Sequence, residues 1–398
     1  MLIAIVAVVG TIGWYVWARL IRDPAWPWPR RRVLTALYGC IVVAGVMAMS
    51  TSVDPGEREL GAARIAGVIA FATFLQLWIG FALVSVPRRV ATRVARRLAA
   101  KAARQTRDTT PAAAEIALSR RQFAARVTAA GVGITATSAA IVGYRNAWDI
   151  TLPEVPVRLA RLPMQLDGYR IVQLSDLHLG RLPGLAFLER VIELAERQRP
   201  DAVVITGDLI EGTVAELARV LDPLGVLAAR RAVYYTTGNH EYYAGAATAW
   251  LEILTRLGVR VLVNERVTIG DTKPSGASLD LAGIPDRTAG RFVSSHEPNV
   301  AAALAGRDPD RELLLLAHQP AQIEAAANHG VGLQLSGHTH GGQFFPIGIL
   351  ERLSMPYVSG LHRHLDGTQI YVSRGTGFFG PALRTFAPAE IPLIVLTT

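Results

Sequence analysis

Five times between residues 169 and 343 a short apolar run gives way to a polar cluster, and this repeat constrains the fold more than any other feature. The apolar runs are residues 169–174, 202–206, 232–236, 313–316 and 331–335. The clusters that follow them are Ser175-Asp176-Leu177-His178, Gly207-Asp208, Gly238-Asn239-His240-Glu241, Ala317-His318 and Gly337-His338-Thr339-His340-Gly341-Gly342-Gln343. Runs of this length and composition read as strands buried on one or both faces. Helix-like stretches lie between them, at residues 187–198, 214–228, 246–257 and 321–328. Strand then helix, repeated, is the pattern of an α/β domain with a largely parallel core. In such sheets ligands collect at the carboxyl ends of the strands, and every cluster falls there. Gly207, Gly238, Gly337, Gly341 and Gly342 suit a backbone that turns sharply or passes close to an ion, and tight strand-to-helix turns would call for them as well.

The residue types point to metal. A pair of divalent ions about 3.5 to 4 Å apart needs a bridging carboxylate and roughly three further N or O ligands on each ion. Asp176, His178, Asp208, Asn239, His318, His338 and His340 make up that number, with His240 left over. One tetrahedral zinc would need only four ligands. The single cysteine, Cys40, lies in an apolar N-terminal stretch, which argues against zinc fingers, iron–sulfur centres, a cysteine nucleophile and any disulfide. No cluster is specific alone, because an Asp-x-His triplet arises by chance about once in a chain of this length. Their order and placement carry the inference.

Asp-x-His, Gly-Asp, Gly-Asn-His-Glu, a lone His and Gly-His-x-His, in that order, resemble the calcineurin-like metallophosphoesterases. The wording of residues 337–343 and of the tail from Ser373-Arg374-Gly375 to Ile391 is similar to the bacterial membrane-associated YkuE/YaeI-like branch. The resemblance covers residues 166–398. It implies a four-layer α/β/β/α sandwich, two sheets face to face with helices outside. The strand-and-helix pattern alone does not separate that from one doubly wound sheet. It also implies that Asp176, His178 and His340 hold one ion, that Asn239, His318 and His338 hold the other, and that Asp208 bridges them. His240 would then be no ligand but the group over the phosphate, stabilising its charge or protonating the leaving oxygen. Two cations neutralise phosphate oxygens and make a hydroxide between them nucleophilic near neutral pH. An acid on the opposite side helps the leaving group depart, and a histidine suits that task. Manganese, iron, zinc, nickel and cobalt all suit such ligands.

Nearby residues allow plainer readings. Glu241 could orient a ligand or be an ordinary helix-start carboxylate. Family members often place a carboxylate three residues after the bridging aspartate, where this chain has Glu211. His362 and His364 read as an exposed loop pair, and His296 and His329 as structural or solvated. Residues 209–212, 288–298 and 344–365 are expected to shape the substrate pocket.

The first third differs in kind. Residues 1–20, 33–49 and 65–86 are apolar runs near the ~20 residues a bilayer needs, more than one cleaved signal peptide explains. A fourth run, residues 127–144, follows Ser119-Arg120-Arg121-Gln122-Phe123, which looks like a twin-arginine export signal and would make the export machinery a partner. The expected organisation is a membrane region of three to four transmembrane helices at residues 1–145, a linker at 146–163 and the metallophosphoesterase domain at 164–398. Residues 88–126 hold 11 Lys or Arg against two acids, whereas residues 50–64 are rich in acids. Basic loops stay in the cytoplasm, so the catalytic domain is expected outside the cytoplasmic membrane. The overall net charge of +9 therefore does not imply nucleic acid, since residues 1–126 alone hold 18 basic and six acidic side chains. The excess lies beside the membrane, where residues 88–107 could also rest on anionic lipid.

The expected activity is that of a membrane-anchored dinuclear-metal phosphodiesterase acting on a phosphorylated lipid, glycolipid or cell-envelope compound. The alternatives are a phosphomonoesterase or protein phosphatase, which the same ions and nucleophile would serve, and a non-catalytic membrane scaffold. The intact ligand set disfavours the scaffold.

Overall fold

The computed structural model describes residues 2–50, 62–102, 111–180, 182–270, 276–327, 329–344, 347–365 and 367–398. The chain divides into two compact units, one holding residues up to Tyr144 and the other residues from Arg145 onward.

The first unit is all helix: α1 (Leu2–Trp17), α2 (Trp28–Ser50), α3 (Ala62–Ala102) and the part of α4 (Pro111–Trp148) up to Tyr144. From Leu2 onward, each of the four apolar runs lies within one of these helices or extends into a short π-helical turn, Ala18–Arg22, after α1. Val16, Phe74, Leu77, Phe81, Ala129 and Ala136 pack as the interior of this unit. Among the described residues two segments, Ala63–Pro87 and Arg120–Trp148, are long and apolar enough to cross a membrane. Helix α1 has 16 residues, fewer than the ~20 a bilayer needs. Most of the acidic loop at residues 50–64, and residues 103–107 of the basic stretch, lie outside the described residues.

The second unit is built on two six-stranded sheets. One contains β1 (Glu154–Arg158), β2 (Arg170–Leu174), β3 (Ala202–Thr206), β4 (Ala232–Thr236), β5 (Arg260–Val261) and β12 (Leu393–Thr397) in the order β1-β12-β2-β3-β4-β5. Only the β12–β2 pair is antiparallel. The other contains β6 (Glu265–Gly270), β7 (Ser278–Gly283), β8 (Leu313–Leu316), β9 (Leu333–Ser336), β10 (Gly360–Arg363) and β11 (Gln369–Val372) in the order β10-β11-β9-β8-β7-β6. Its four central strands are parallel and its two edges antiparallel.

The apolar runs are continuous because both faces of these strands are covered. In β3, Val204 turns to a core shared with Ile171, Leu281, Leu314, Leu316 and Leu335, which cements sheet to sheet. Its neighbours Val203 and Ile205 turn the other way, onto α5 (Leu185–Arg197), α6 (Val214–Leu217), α7 (Asp222–Ala228) and α9 (Ala247–Arg256), while the short α8 (His240–Tyr243) follows β4. On the outer face of the second sheet Leu313 and Leu315 of β8 pack on Val300 and Ala303 of α10 (Val300–Ala303) and on Ile323 and Ala326 of α11 (Ile323–Ala327). The result is the four-layer α/β/β/α sandwich, not one doubly wound sheet. Strand β1 falls inside the stretch expected to be a linker. Val155 and Val157 alternate there as a strand requires, and Pro156 is tolerated because β1 is the edge of its sheet.

Candidate metal centre

Asp176 and His178 follow β2, Asp208 follows β3, Asn239 and His240 follow β4, His318 follows β8, and His338 and His340 follow β9. The carboxyl ends of the two sheets thereby bring all eight residues to one place. Three overlapping groups have ligand atoms within 4.8 Å of one another: Asp176, His178 and His340; His178, Asp208 and His240; Asp208, His318 and His338.

The backbone is bent to achieve this. Asp176, His178, Asp208, His338 and His340 all adopt positive φ, from 47 to 73°. Left-handed conformations cost non-glycine residues roughly 1–2 kcal/mol each and concentrate at functional sites. Two glycines leave room for the carboxylates. A side chain on Gly238 would collide with Asp208, and one on Gly337 with Ser175 and Asp176.

Hydrogen bonds fix the rings. Nδ1 of His318 donates to the Thr206 carbonyl at 2.7 Å. Its Nε2 therefore offers a lone pair, yet stands 3.1 Å from Oδ2 of Asp208, with no hydrogen bond satisfying it. Two electron-rich atoms so placed require a cation or a proton between them. Oδ1 of Asn239 is likewise buried without a partner. On the other side, Nε2 of His178 and Nε2 of His340 face each other at 3.0 Å. His178 Nδ1 is held by Glu211 at 2.6 Å, and His340 Nδ1 by the Arg384 guanidinium at 3.0 Å. Orphaned polar atoms and facing ring nitrogens are the arrangement that a pair of divalent cations would satisfy. The donor set therefore fits the group.

Electrostatics agree. Burial would raise the Asp208 carboxyl, but the facing His318, aided by His178 and His240, holds it far below its usual range. Burial would lower His318, and facing Asp208 instead raises it well above its ordinary value. Oε1 of Glu211 also lies 2.5 Å from Nδ1 of His240. Burial would raise Glu211, but these two histidine bonds bring it to about 2. In turn Glu211 and Asp208 raise His240 despite its burial.

Several supporting residues were not legible as such in the sequence. Glu241 is fully buried and accepts from the backbone N–H of Asp208, Leu209 and Gly238, tying the loops after β3 and β4 together. That settles it as more than a helix-start carboxylate. Arg384, also fully buried, donates to the carbonyls of His340, Arg374, Gly377 and Ala387 as well as to the His340 ring. Gln343 exchanges hydrogen bonds with the backbone of Phe379, whose ring lies 5.0 Å from that of His240. Within the second unit Asn146 donates to the Arg384 carbonyl and Trp148 lies edge-on against Phe378. His362 and His364 sit with Tyr357 on and just after β10, and His296 backs Tyr242 at 2.9 Å.

Comparison with known proteins follows the same lines. Residues 169–342 match the calcineurin-like phosphoesterase family. Over 246 residues the chain is 38% identical to a transmembrane protein with metallophosphoesterase domain of Danio rerio, a match covering 61% of this chain and 56% of that protein. It is 32% identical over 254 residues to an uncharacterized metallophosphoesterase of Aquifex aeolicus, covering 64% of this chain and 94% of that one. It is 30% identical over 295 residues to the uncharacterized metallophosphoesterase YkuE of Bacillus subtilis, covering 70% and 98%. The chain thus spans little more than half the length of the Danio rerio relative and nearly all of the two bacterial ones. With its fold and the cluster of candidate ligands at its strand ends, the chain belongs to the calcineurin-like phosphoesterase family.

Proposed function

We propose that this protein is a membrane-anchored, dinuclear-metal phosphohydrolase that cleaves phosphodiesters of a phosphorylated lipid, glycolipid or cell-envelope compound. The observation that carries the proposal is the sharing of Asp208 between the His178 side and the His318–His338 side of one centre. When bound there, two divalent cations supply positive charge for the phosphoryl oxygens and acidify the attacking water.

The protein's own groups supply the rest. Asp176, His178 and His340 would hold one cation, Asn239, His318 and His338 the other, and Asp208 would serve both. His178 is oriented by Glu211, His318 by the Thr206 carbonyl, and His340 by Arg384. His240 keeps its backbone N–H on Oδ1 of Asp208 at 2.9 Å, so its ring is fixed relative to the bridging carboxylate. With Nδ1 on Glu211 and its pKa raised, the ring carries a proton to offer from Nε2 to the departing oxygen. The segments Ala63–Pro87 and Arg120–Trp148 support membrane anchoring. The basic residues 88–126 support a cytoplasmic loop with the catalytic unit on the opposite side, and Arg120-Arg121 before the last apolar run supports twin-arginine export.

The test is hydrolysis of bis-p-nitrophenyl phosphate and p-nitrophenyl phosphate by the manganese-loaded full chain, with Asp208→Asn as control. Turnover of the diester that the substitution abolishes supports the proposal. Cleavage of the monoester alone transfers the site to the phosphatases, and cleavage of neither removes the enzymatic reading.

A further inference from the structure

His240 touches two aromatic side chains. The Phe379 ring lies 5.0 Å from its ring and the Tyr243 ring 5.3 Å from it. From Tyr243 the series continues to Phe292 at 5.7 Å and from Phe292 to Tyr242 at 6.1 Å. Tyr243, Phe292 and Phe379 are each more than half exposed, at 58, 52 and 52%. Single exposed aromatics are common, but a contiguous set at the rim of a polar centre marks a ligand-binding surface.

This series leads into a cleft of about 430 Å³. It is lined by Tyr242, Phe292 and Val293 and, around the start of α9, by residues 245–249 (Gly-Ala-Ala-Thr-Ala). The small residues there leave the space open. Tyr242 is held in place because its hydroxyl, lying 3.0 Å from Thr237 and 2.9 Å from His296, is already satisfied. Tyr242 is 2% exposed, so it backs the cleft without offering its hydroxyl as a free polar group. The volume lies in the range of small-molecule pockets, which are mostly apolar with a few fixed polar groups.

We infer that this cleft binds an alkyl or acyl chain attached to the phosphoester whose phosphate sits at the metal centre. The inference rests on the phosphohydrolase reading of that centre and deepens it, because it selects amphiphilic phosphoesters over soluble sugar phosphates or nucleotides. A wholly polar substrate would leave Phe292, Tyr243 and the alanines around the start of α9 against water. A chain leaving the phosphate past His240 meets Tyr243 first and Phe292 next.

Binding and turnover test the two readings separately. With the manganese-loaded full chain in lipid nanodiscs, octyl phosphate and methyl phosphate are titrated calorimetrically into wild type, Ala249→Trp and Phe292→Ser. A fully buried methylene is worth about fourfold in affinity, so wild type is expected to prefer the octyl ester by about tenfold or more. Filling the cleft with Ala249→Trp, or removing part of its lining with Phe292→Ser, should reduce that preference several-fold, with manganese content confirming an intact centre. Equal affinity of wild type for both esters, or a preference that survives both substitutions, overturns the cleft. Hydrolysis of methyl and octyl 4-nitrophenyl phosphate is then compared. Failure of both to turn over removes the phosphodiesterase reading, while the binding ratio still decides the cleft.

Discussion

Nε2 of His318 lies 3.1 Å from Oδ2 of Asp208, while its Nδ1 is committed to the Thr206 carbonyl. In the metal-free chain the carboxylate draws a proton onto Nε2, raising His318 well above its usual pKa. A cation can take that position only as the proton leaves. Manganese uptake at pH 7 is therefore expected to release about one proton at this ligand. Titration calorimetry in two buffers of different ionisation enthalpy measures it, and identical heats in both would contradict the arrangement. By the same linkage, metal affinity falls as pH falls.

Asp208→Asn should lower metal occupancy at both positions, because the residue belongs to both of the groups that flank it. Metal analysis of the purified variant checks this. Loss of only one equivalent would mean that Asp208 does not bridge.

His240→Ala should keep its metals and lose about 10²-fold or more in kcat, the usual scale of an acid catalyst. The structure makes the alternative sharp, since His240 also lies within ligand reach of His178 and Asp208. An emptied position in the variant would reassign His240 as a ligand.

Removal of metal should lower the melting temperature by several degrees, because ligands that bind only the folded state stabilise it. Five residues in left-handed conformation give the folded state a local cost that bound cations offset. A melting curve unchanged by chelator would count against this.

Glu351, on α12 (Ile347–Ser354), is raised to about 7 by burial. A carboxyl with its folded pKa above its unfolded value destabilises the fold progressively as pH rises from about 4.5 to 7. Glu351→Gln should therefore raise the melting temperature at pH 8 and leave it unchanged at pH 4. An equal gain at both would show that charge is not the cause.

The candidate metal-binding residues were legible because each sits two to five positions past an apolar run, and parallel strands deliver such residues to one edge. Two sheets against one doubly wound sheet was not legible from periodicity, because both give the same alternation of strand and helix. The difference lies in β5 and β6, where the chain leaves one sheet at Val261 and starts the other at Glu265 without a helix between. Arg384 left no signal because it reaches His340 from 44 positions away through an irregular segment. Glu241 was ambiguous because a carboxylate after Asn-His suits a helix start equally well. Only its burial against three backbone N–H groups separates the readings.

The left-handed backbone at Asp176, His178, Asp208, His338 and His340 also limits how the centre can drift. Among non-glycine residues, Asn, Asp and His are the types that enter this conformation most readily, and two of them are strong ligands for divalent ions. Coordination and chain geometry therefore select from the same short alphabet. A lineage could exchange aspartate for asparagine or histidine at these positions and keep the loop, while a β-branched or bulky replacement would lose the turn together with the ligand.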